Sequence, residues 1–344
     1  MDINKLLRKN IAALKPYSSA RDEYTGEAMV FLDANENPFN QPYNRYPDPL
    51  QRAVKQKISN LKIIPVENIF LGNGSDEPID LLIRAFCEPG IDNIVTIDPT
   101  YGMYQVAADI SNVELRKVSL TPEYELDEQA LLATTDKNTK LIFLCSPNNP
   151  TGNSLKKEVI LKTLHTFKGL VIVDEAYIDF APGKSLLKEL NNYANLVVLQ
   201  TFSKAWGMAG LRLGMAFASV QIVTILNKIK YPYNLNILTQ QKALELLDRN
   251  EQVEDWVQLL IKERKKMEEA LQEFPFVVKV HPSDANFLLV KMHDSKGIYN
   301  YLVEEGIIVR DRSKVYLCEG SLRITIGSEE ENLTLLNALK NLIS

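Results

Sequence analysis

The sequence predicts an α/β fold, with a mostly parallel seven-stranded sheet in a large domain and a smaller α+β domain after it. Two observations support this prediction. Seven strand-like apolar runs, several of them separated by helical patterns, lie between residues 68 and 218. From about Gln221 the pattern changes to long helices and then to shorter strands. Strands that alternate with helices indicate βαβ units, and hence a mostly parallel sheet that helices cover on both faces.

The elements follow one another in a regular order along the chain. The seven apolar runs are 68–71, 93–97, 113–118, 140–145, 170–174, 195–200 and 213–218. Helical patterns span 76–86, 156–167 and 185–191, and later 237–247, 253–273 and 329–342. Four shorter strands are expected at 277–280, 286–291, 307–309 and 322–326. Residues 1–14 have amphipathic spacing, which predicts a docked helix. We therefore predict an N-terminal arm (1–30), a large domain (31–230) and a small domain (231–344).

The composition argues against several classes of protein. The 344 residues carry a formal charge of −5 and their basic residues are scattered, so neither nucleic acid nor an anionic membrane is an expected partner. No apolar stretch reaches the roughly 18 residues that span a bilayer. Cys87, Cys145 and Cys318 form no CxxC pair and lie in or beside apolar runs, which predicts buried free thiols in a reducing cytoplasm. The three histidines have no metal-ligand spacing, so no metal site is expected.

A lysine near the middle of the chain is the first candidate for chemistry. Lys204 lies in TFSKAWG, just after the apolar run 195–200, and Arg212 follows it closely. Open α/β sheets bind ligands at the carboxyl ends of their strands. An amine there can form a Schiff base with an aldehyde such as that of pyridoxal phosphate. An ordinary loop lysine is the commoner explanation of so short a motif, so the upstream segments must decide between the two.

A glycine-containing turn predicts a phosphate site. The segment LGNGSDE follows a strand-like run and opens the helical pattern 76–86. Gly74 allows a tight turn, Ser75 can cap the helix, and the free N–H groups at a helix start attract anions. A plain capped turn explains the segment equally well on its own. No lysine follows the glycines, so this is not a Walker nucleotide-binding loop.

Three further segments place polar or aromatic groups after apolar runs. Tyr101, in DPTYGMY, can stack on a flat heteroaromatic ring, although a structural tyrosine is the simpler explanation of that segment alone. Asn149, in SPNNPTG, can donate a hydrogen bond to a phenolate-type oxygen, whereas the prolines can also serve a turn. Asp174 ends the run VIVD, where a buried carboxylate needs a charged partner such as a pyridinium nitrogen. A metal is the alternative partner, but no second ligand cluster accompanies Asp174.

Together these segments resemble a known enzyme family. The conjunction of GNGSDE, SPNNPTG, VDEAY and TFSKAWGMAGLRLG is similar to the fold type I pyridoxal-phosphate enzymes of the class I and II aminotransferase superfamily, over nearly the full length of the chain. The segments LKPYSSAR, LDANENP and NRYPDP near the N-terminus, and VRD and LRITIG near the C-terminus, resemble the histidinol-phosphate aminotransferases within it.

The resemblance implies a role for each candidate residue of the cofactor site. Lys204 would bind pyridoxal 5′-phosphate covalently and move a proton between substrate and cofactor. Asp174 would pair with the ring nitrogen, Asn149 and Tyr177 would hold the ring oxygen, and Tyr101 would stack on the ring. The cofactor phosphate would be held by Gly74, Ser75, Asp76, Thr201, Ser203 and Arg212.

The resemblance also implies the substrates and a dimer. Arg323 would bind the substrate anion with help from Arg310, and the segments of Tyr17, Asn35 and Glu36 would line the substrate pocket. Tyr46 would reach the cofactor phosphate of the neighbouring subunit, so that a homodimer shares its active sites. The implied reaction is a ping-pong amino transfer between histidinol phosphate and 2-oxoglutarate, giving imidazole-acetol phosphate and glutamate, in histidine biosynthesis.

Other functions remain open at this stage. An aromatic-amino-acid aminotransferase or a threonine-phosphate decarboxylase shares the cofactor motifs, and only the terminal segments argue against them. A non-catalytic, cofactor-binding regulatory protein is disfavoured because Lys204, Asp174 and Tyr177 occur together. A nucleotide-binding protein is disfavoured because neither G-x-G-x-x-G nor a Walker loop is present. Residues 311–316 are interpreted as a compact linker before the strand of Arg323.

Overall fold

The computed structural model describes residues 3–17 and 29–343, and its main feature is a seven-stranded sheet. The strands lie in the order β1-β7-β6-β5-β4-β2-β3. Only β7 runs antiparallel to its neighbours, so the prediction of a mostly parallel sheet is confirmed. The strands are β1 (Ile69–Asn73), β2 (Asn93–Asp98), β3 (Glu114–Ser119), β4 (Thr139–Cys145), β5 (Leu170–Asp174), β6 (Leu196–Thr201) and β7 (Leu213–Ala218).

Helices cover both faces of this sheet. Two buried apolar clusters, one on each face, contain alternate residues of the central strands. In β5, for example, Val171 and Val173 belong to one cluster, and Leu170 and Ile172 to the other. A strand buried on both faces reads as a continuous apolar run, which is why the sequence displays these strands so clearly. The helices are α1 (Lys9–Ala13), α2 (Arg52–Lys62), α3 (Asp76–Phe86), α4 (Met103–Ile110), α5 (Glu128–Ala133), α6 (Lys157–Thr166) and α7 (Val220–Ile229).

The C-terminal part forms a second, smaller sheet with its own core. Its four strands, β8 (Val277–Val280), β9 (Phe287–Met292), β10 (Arg310–Asp311) and β11 (Ser321–Thr325), lie in the order β10-β11-β9-β8 and are all antiparallel. The helices of this part are α8 (Ile237–Leu246), α9 (Asn250–Gln272), α10 (Ser295–Glu304) and α11 (Glu329–Asn341). A third apolar cluster lies between this sheet and parts of α9, α10 and α11.

Hydrogen bonds hold the small sheet against the large one. The N–H of Asp284, just before β9, donates to the carbonyl oxygen of Gly152 over 2.7 Å. The Asp284 carboxylate accepts from the Ser154 N–H at 3.1 Å and pairs with Lys184 at 2.6 Å. The hydroxyl of Tyr124 donates to the Leu317 carbonyl at 2.9 Å. These contacts set the position of β9 and β11 relative to the loops of the large sheet.

Several element predictions were wrong in detail. The helical pattern at 185–191 forms only a short 3-10 turn, Leu187–Glu189, in which the N–H groups of Glu189 and Leu190 bond to the carbonyl three residues earlier. The strand expected at 307–309 begins at Arg310 instead, where pairing with β11 starts. The docked N-terminal helix consists of a 3-10 turn, Ile3–Lys5, and α1. The domain limits stay predictions, and the arm 1–30 lies partly outside the described residues. No helix in the described part of the chain is long and apolar enough to cross a membrane.

Candidate active site

A cavity opens at the carboxyl edge of the large sheet. Every residue predicted to hold the cofactor, apart from Tyr46, lines it, together with Cys145 and Ala176. Parallel strands end at one edge of a sheet, so the loops after β1, β2, β4, β5 and β6 all reach this place. The antiparallel strand β7 begins at the same edge and adds Arg212. The topology therefore brings together side chains from five distant segments of the sequence.

The predicted phosphate turn lies at the start of α3. Gly74 has a φ of +70°, in the left-handed region that favours glycine, and its N–H donates to the Arg212 carbonyl over 2.7 Å. A Cβ at Gly74 would lie 2.7 Å from Nη2 of Arg212. Ser75 occupies the N-cap position, but its hydroxyl makes no capping hydrogen bond, contrary to the expected cap. The amide groups of this helix start point towards the cavity edge and favour an anion.

Polar side chains surround this helix start. Nη2 of Arg212 lies 3.5 Å from a carboxylate oxygen of Asp76, and the other oxygen accepts a 3.0 Å hydrogen bond from the hydroxyl of Tyr101. The Thr201 hydroxyl donates to the Ser203 hydroxyl at 2.9 Å and accepts from the Ser203 N–H at 3.1 Å. The donor side chains of Thr201, Ser203 and Arg212 thus line the same cavity as the helix start, which suits a phosphate group.

Gly214 is a site residue that the sequence reasoning missed. It pairs with Gly72 across β1 and β7, and a Cβ built on it would overlap the backbone of Gly74 and of Ser75. Only glycine lets β7 approach the phosphate turn this closely. The motif GLRLG contains the residue, but the sequence does not reveal which of its glycines faces another backbone.

Asp174 ends β5 and is buried, with 2% of its surface exposed. One carboxylate oxygen accepts a 2.7 Å hydrogen bond from the hydroxyl of Tyr104, and the other accepts from the Ala176 N–H at 3.1 Å. Burial raises the pKa of Asp174, although these bonds and Lys204 oppose the rise. A buried carboxylate whose hydrogen bonds come from neutral groups fits a site for a cationic ring. Tyr104, fully buried on α4, was also missed at the sequence level.

Lys204 follows β6 and lines the same cavity as Asp174. Its Nζ lies 5.5 Å from the centroid of the Tyr177 ring. Burial lowers the pKa of Lys204, and the positive charges of Arg323 and Arg212 lower it further, against the opposing pull of Asp174 and Asp76. A lowered pKa leaves more of the amine neutral, which is the form that attacks an aldehyde and accepts a proton.

Tyr177 and Asn149 also line this cavity. Tyr177 packs edge-on against Phe287 of β9, with ring centroids 5.1 Å apart, and burial raises the pKa of its phenol. Asn149 accepts a 2.6 Å hydrogen bond from Nη1 of Arg323. The guanidinium of Arg323 also stacks over Phe287, with Cζ 5.3 Å from the ring centroid. The small sheet therefore packs Arg323 and Phe287 against Asn149 and Tyr177, two residues that line the cavity.

The residues predicted for the substrate differ in where they lie. Arg310 is directly opposite Arg323 in the pairing of β10 with β11. Asn35 and Glu36 line a second concavity that also contains Tyr46 and Tyr233, not the cavity of Lys204. Tyr46 stacks on Tyr233 at 4.4 Å between ring centroids, and Tyr17 is 70% exposed. The roles of these residues stay predictions, and Tyr46 does not reach the cavity of its own chain.

A metal centre finds no support in the part of the chain that the structure describes. Among residues 3–17 and 29–343, no three histidine, cysteine, aspartate or glutamate side chains converge in a way that would hold a metal ion. The alternative of a metal as the partner of Asp174 therefore lacks the further ligands that it needs.

Comparison with known proteins agrees with this geometry. The family model for aminotransferases of class I and II matches residues 27–339. A histidinol-phosphate aminotransferase of Parabacteroides distasonis is 59% identical over 341 residues, which cover 99% of either chain. The crystal structure of the Clostridium acetobutylicum histidinol-phosphate aminotransferase superposes with a TM-score of 0.80 at 27% identity, over 87% of this chain and 91% of that one.

A second solved structure has the same fold and, by its description, holds pyridoxal 5′-phosphate. The Sinorhizobium meliloti histidinol-phosphate aminotransferase, in complex with pyridoxal 5′-phosphate, has a TM-score of 0.79 at 22% identity, over 87% of this chain and 84% of that one. At that identity the likeness supports the fold alone. The match to the family model and the 59% identity over the full length carry the assignment. The chain belongs to the class I and II aminotransferase family and, within it, to the histidinol-phosphate aminotransferases.

Proposed function

We propose that the protein transfers an amino group between histidinol phosphate and 2-oxoglutarate, with pyridoxal 5′-phosphate as its cofactor, in histidine biosynthesis. One observation carries the proposal. Lys204, Asp174 and Asn149 line a single cavity, and Asn149 is bonded to Arg323, in a chain that is 59% identical to a histidinol-phosphate aminotransferase. An amine, a buried carboxylate and a cationic rim are the groups that such a reaction requires.

The residues of the cavity fit this cofactor. Asp174 offers a buried negative charge to a ring nitrogen, and Tyr101, in the loop after β2, offers a ring face. The start of α3, Ser203 and Arg212 together offer donors to a phosphate. Gly74 and Gly214 both leave space at this turn. A Cβ on Gly74 would lie 2.7 Å from Nη2 of Arg212, and a Cβ on Gly214 would overlap the backbone of Gly74 and Ser75. When bound, pyridoxal phosphate supplies an aldehyde that takes up amino groups and a protonated ring that accepts electrons.

Residues of the cavity would orient the cofactor, transfer the proton and exclude water. Asp174 holds the ring proton in place by its charge, and Tyr104 orients the carboxylate through a 2.7 Å hydrogen bond. The Nζ atom of Lys204 removes the proton from the substrate Cα and returns it, helped by a lowered pKa. The amide of Asn149 and the phenol of Tyr177 donate to the ring oxygen and keep the ring from tilting. The buried setting of Asp174 and Tyr177 excludes water from one face of the site.

The substrate anion lies at the arginines of the small sheet. Arg323 and Arg310 are cross-strand neighbours, and a guanidinium binds an anion without a change of its own protonation state. Histidinol phosphate carries a phosphate and no α-carboxylate, whereas glutamate carries two carboxylates, so one cationic site must accept either anion. Guanidinium groups do so because they form paired hydrogen bonds with phosphate and carboxylate alike.

We also propose that two chains share their active sites. Within one chain Tyr46 lies in the second concavity and not in the cavity of Lys204. Its segment is rich in exposed apolar side chains, including Met29, Leu32, Phe39 and Tyr43. Such a patch commonly marks a subunit interface. A second copy that covers it would bring Tyr46 to the phosphate of the neighbouring cofactor. Three buried free cysteines fit a reducing compartment, and we propose the cytoplasm.

A steady-state assay with three amino donors tests the substrate. The cofactor-loaded protein is incubated with 2-oxoglutarate and with histidinol phosphate, phenylalanine or threonine phosphate, and glutamate and carbon dioxide are measured. We expect glutamate from histidinol phosphate, with a kcat/KM at least about tenfold above that for phenylalanine. Glutamate from phenylalanine alone would indicate an aromatic-amino-acid aminotransferase, and carbon dioxide from threonine phosphate a decarboxylase. Lys204→Ala should form no glutamate, and an active variant would contradict the role of Lys204.

A further inference from the structure

A third arginine lies beside Arg310 and Arg323 on the small sheet. Arg312 directly follows β10, and its backbone is fixed at both ends: its N–H donates to the Ser321 carbonyl at 2.9 Å, and its carbonyl accepts from the Val315 N–H at 2.8 Å. The segment 311–316 was interpreted from the sequence as a linker. That interpretation is incomplete, because the pairing with β11 continues to Arg312.

The strand register places all three arginines on one face of the small sheet. Arg310 pairs with Arg323, and Asp311 pairs with Leu322. Side chains alternate along a strand, so Arg312 projects to the same side as Arg310 and Arg323. Leu322, on the opposite side, is fully buried in the core of the small domain. The face with the arginines is the one turned to the large domain, where Arg323 bonds to Asn149.

Two buried donors on this face have no acceptor. Nε of Arg312 and Nε of Arg323 are both buried, and neither has a hydrogen-bond partner among the described residues. A buried donor without a partner costs roughly 1–3 kcal/mol, so proteins rarely keep one without a reason. Two such donors on adjacent strands, both belonging to guanidinium groups, indicate a ligand that brings its own acceptor oxygens.

Carboxylates do not balance this positive charge. Burial, together with the charges of Arg323 and Arg310, lowers the pKa of Arg312 to about 10, and the groups that act most strongly on it include no carboxylate of the described residues. Asp311, the nearest acid in sequence, projects to the other side, where it bonds to the Ser313 N–H at 2.8 Å and interacts with Lys314 and Lys296. Arg312 thus lies on the same sheet face as Arg323, whose guanidinium donates to Asn149, a residue that lines the cavity of Lys204.

We propose that Arg312 is a third arginine of the substrate-anion site and that it makes this site prefer a phosphate monoester dianion to a carboxylate. The inference rests on the proposed function and deepens it, since it names the residue that selects the phosphorylated substrate. A carboxylate has two oxygens, which Arg323 and Arg310 suffice to bind. A phosphate has a third terminal oxygen and nearly twice the charge, so a third guanidinium adds more to its binding than to that of a carboxylate.

Replacement of Arg312 by glutamine tests the proposal with three amino donors. For Arg312→Gln we expect kcat/KM to fall about 100-fold for histidinol phosphate and about tenfold for glutamate, because the interaction energy scales with the charge of the ligand. Histidinol, which has no phosphate, should react equally slowly with the variant and with the parent protein. Arg312→Lys, which keeps the charge but not the planar fork, should recover part of the loss.

Two controls separate this role from a structural one. Arg249→Gln removes an exposed positive charge at the start of α9 and should leave all three donors unchanged. The melting temperature and the cofactor absorbance of each variant report whether the fold survives. If Arg312→Gln lowers kcat/KM for all three donors by the same factor, or for none of them, the proposal is wrong.

A binding measurement keeps the proposal distinct from the proposed function. Inorganic phosphate is titrated calorimetrically into cofactor-loaded protein, in which the cofactor's own phosphate site is filled. We expect the dissociation constant to rise at least about tenfold in Arg312→Gln and to stay unchanged in Arg249→Gln. If the parent protein does not react with histidinol phosphate, the proposed function fails, and this titration still decides whether Arg312 binds phosphate. An unchanged dissociation constant in Arg312→Gln would overturn the role of Arg312.

Discussion

Arg323 donates a 2.6 Å hydrogen bond to the side-chain oxygen of Asn149, 174 residues earlier in the chain. A guanidinium has no acceptor atom, so only the oxygen of the Asn149 amide can face it. The amide nitrogen must then point the other way, where it can donate to a ring oxygen. The arginine proposed for the substrate anion therefore also orients the asparagine proposed for the cofactor.

This relationship predicts that Asn149 and Arg323 are coupled in catalysis. Asn149→Ala removes the donor, and Arg323→Gln removes both the anion site and the group that orients the donor. The double variant should lose less than the sum of the single losses, with a coupling of about 1–2 kcal/mol in the activation free energy from kcat/KM for glutamate. Arg323→Gln should also shift the cofactor absorbance in the absence of substrate. Additive losses together with an unshifted spectrum would show that the hydrogen bond has no such effect.

The contact between Gly214 and the phosphate turn predicts a selective loss of cofactor binding. In Gly214→Ala the new Cβ meets the backbone of Gly74 and Ser75, so the turn has to move. We expect the dissociation constant of pyridoxal phosphate, measured by equilibrium titration, to rise at least about tenfold. Gly210→Ala is the matched control, since a Cβ there meets nothing within 4 Å. Equal affinities for the two variants would mean that the turn is not the phosphate site.

If two chains share their active sites, two inactive variants should regain activity when their subunits are mixed. Tyr46→Ala should lack the residue that reaches the neighbouring cofactor, and Lys204→Ala should lack the proton-transferring amine. A mixed dimer has one site with both defects and one with neither. After subunit exchange of equal amounts, activity at limiting cofactor should rise to about a quarter of that of the parent protein. No recovery, in a mixture shown to contain mixed dimers, would place Tyr46 in the site of its own chain or outside any site.

Glu175 predicts a dependence of stability on pH. The side chain is fully buried behind Asp174, where it accepts from the Leu186 N–H at 2.6 Å, the Ser185 hydroxyl at 2.7 Å and the Gln200 amide at 2.9 Å. Burial raises the pKa of Glu175 to about 7 from 4.5. The folded protein thus keeps a proton that the unfolded chain releases, so this group's contribution to stability is complete below about pH 4.5 and is lost as the pH rises to about 7.

Glu175→Gln tests that dependence. Glutamine cannot ionise, and the Gln200 amide oxygen, buried without a partner, can turn to accept from the new side-chain amide. Between pH 5 and pH 7 the free energy of unfolding of the parent protein should fall by about 2 kcal/mol relative to that of the variant. The measurement is urea unfolding of both proteins at several pH values. A difference that does not change with pH would show that Glu175 is ionised throughout.

Much of the fold and of the cofactor site could be predicted because the responsible patterns are local. A strand buried on both faces, such as β5, is a continuous apolar run, and Asp174 and Lys204 directly follow such runs. No local sequence pattern indicates that Tyr104 contacts Asp174. The two residues meet only because α4 packs against the sheet. The same holds for Gly214, whose close neighbour Gly74 is fixed by the order of the strands.

Register and relative position explain the other differences. Arg312 was assigned to a linker because a two-residue strand such as β10 has no visible alternation, and only its pairing with β11 shows which way the side chain projects. Asn35 and Glu36 were expected near the substrate because their segment resembles that of related enzymes. Their position in a concavity with Tyr46 depends on how the N-terminal segment packs beside α8, which no short motif encodes.

Lys204 and the arginine site are proposed to act together on a phosphorylated amine, and a spectral titration measures this joint action. The cofactor-loaded protein is titrated with histidinol phosphate in the absence of 2-oxoglutarate, and the visible absorbance of the cofactor is followed. We expect the band to convert to that of the aminated cofactor with release of one imidazole-acetol phosphate per site, and we expect no conversion in Lys204→Ala. An unchanged band with histidinol phosphate, together with conversion by phenylalanine, would contradict the account.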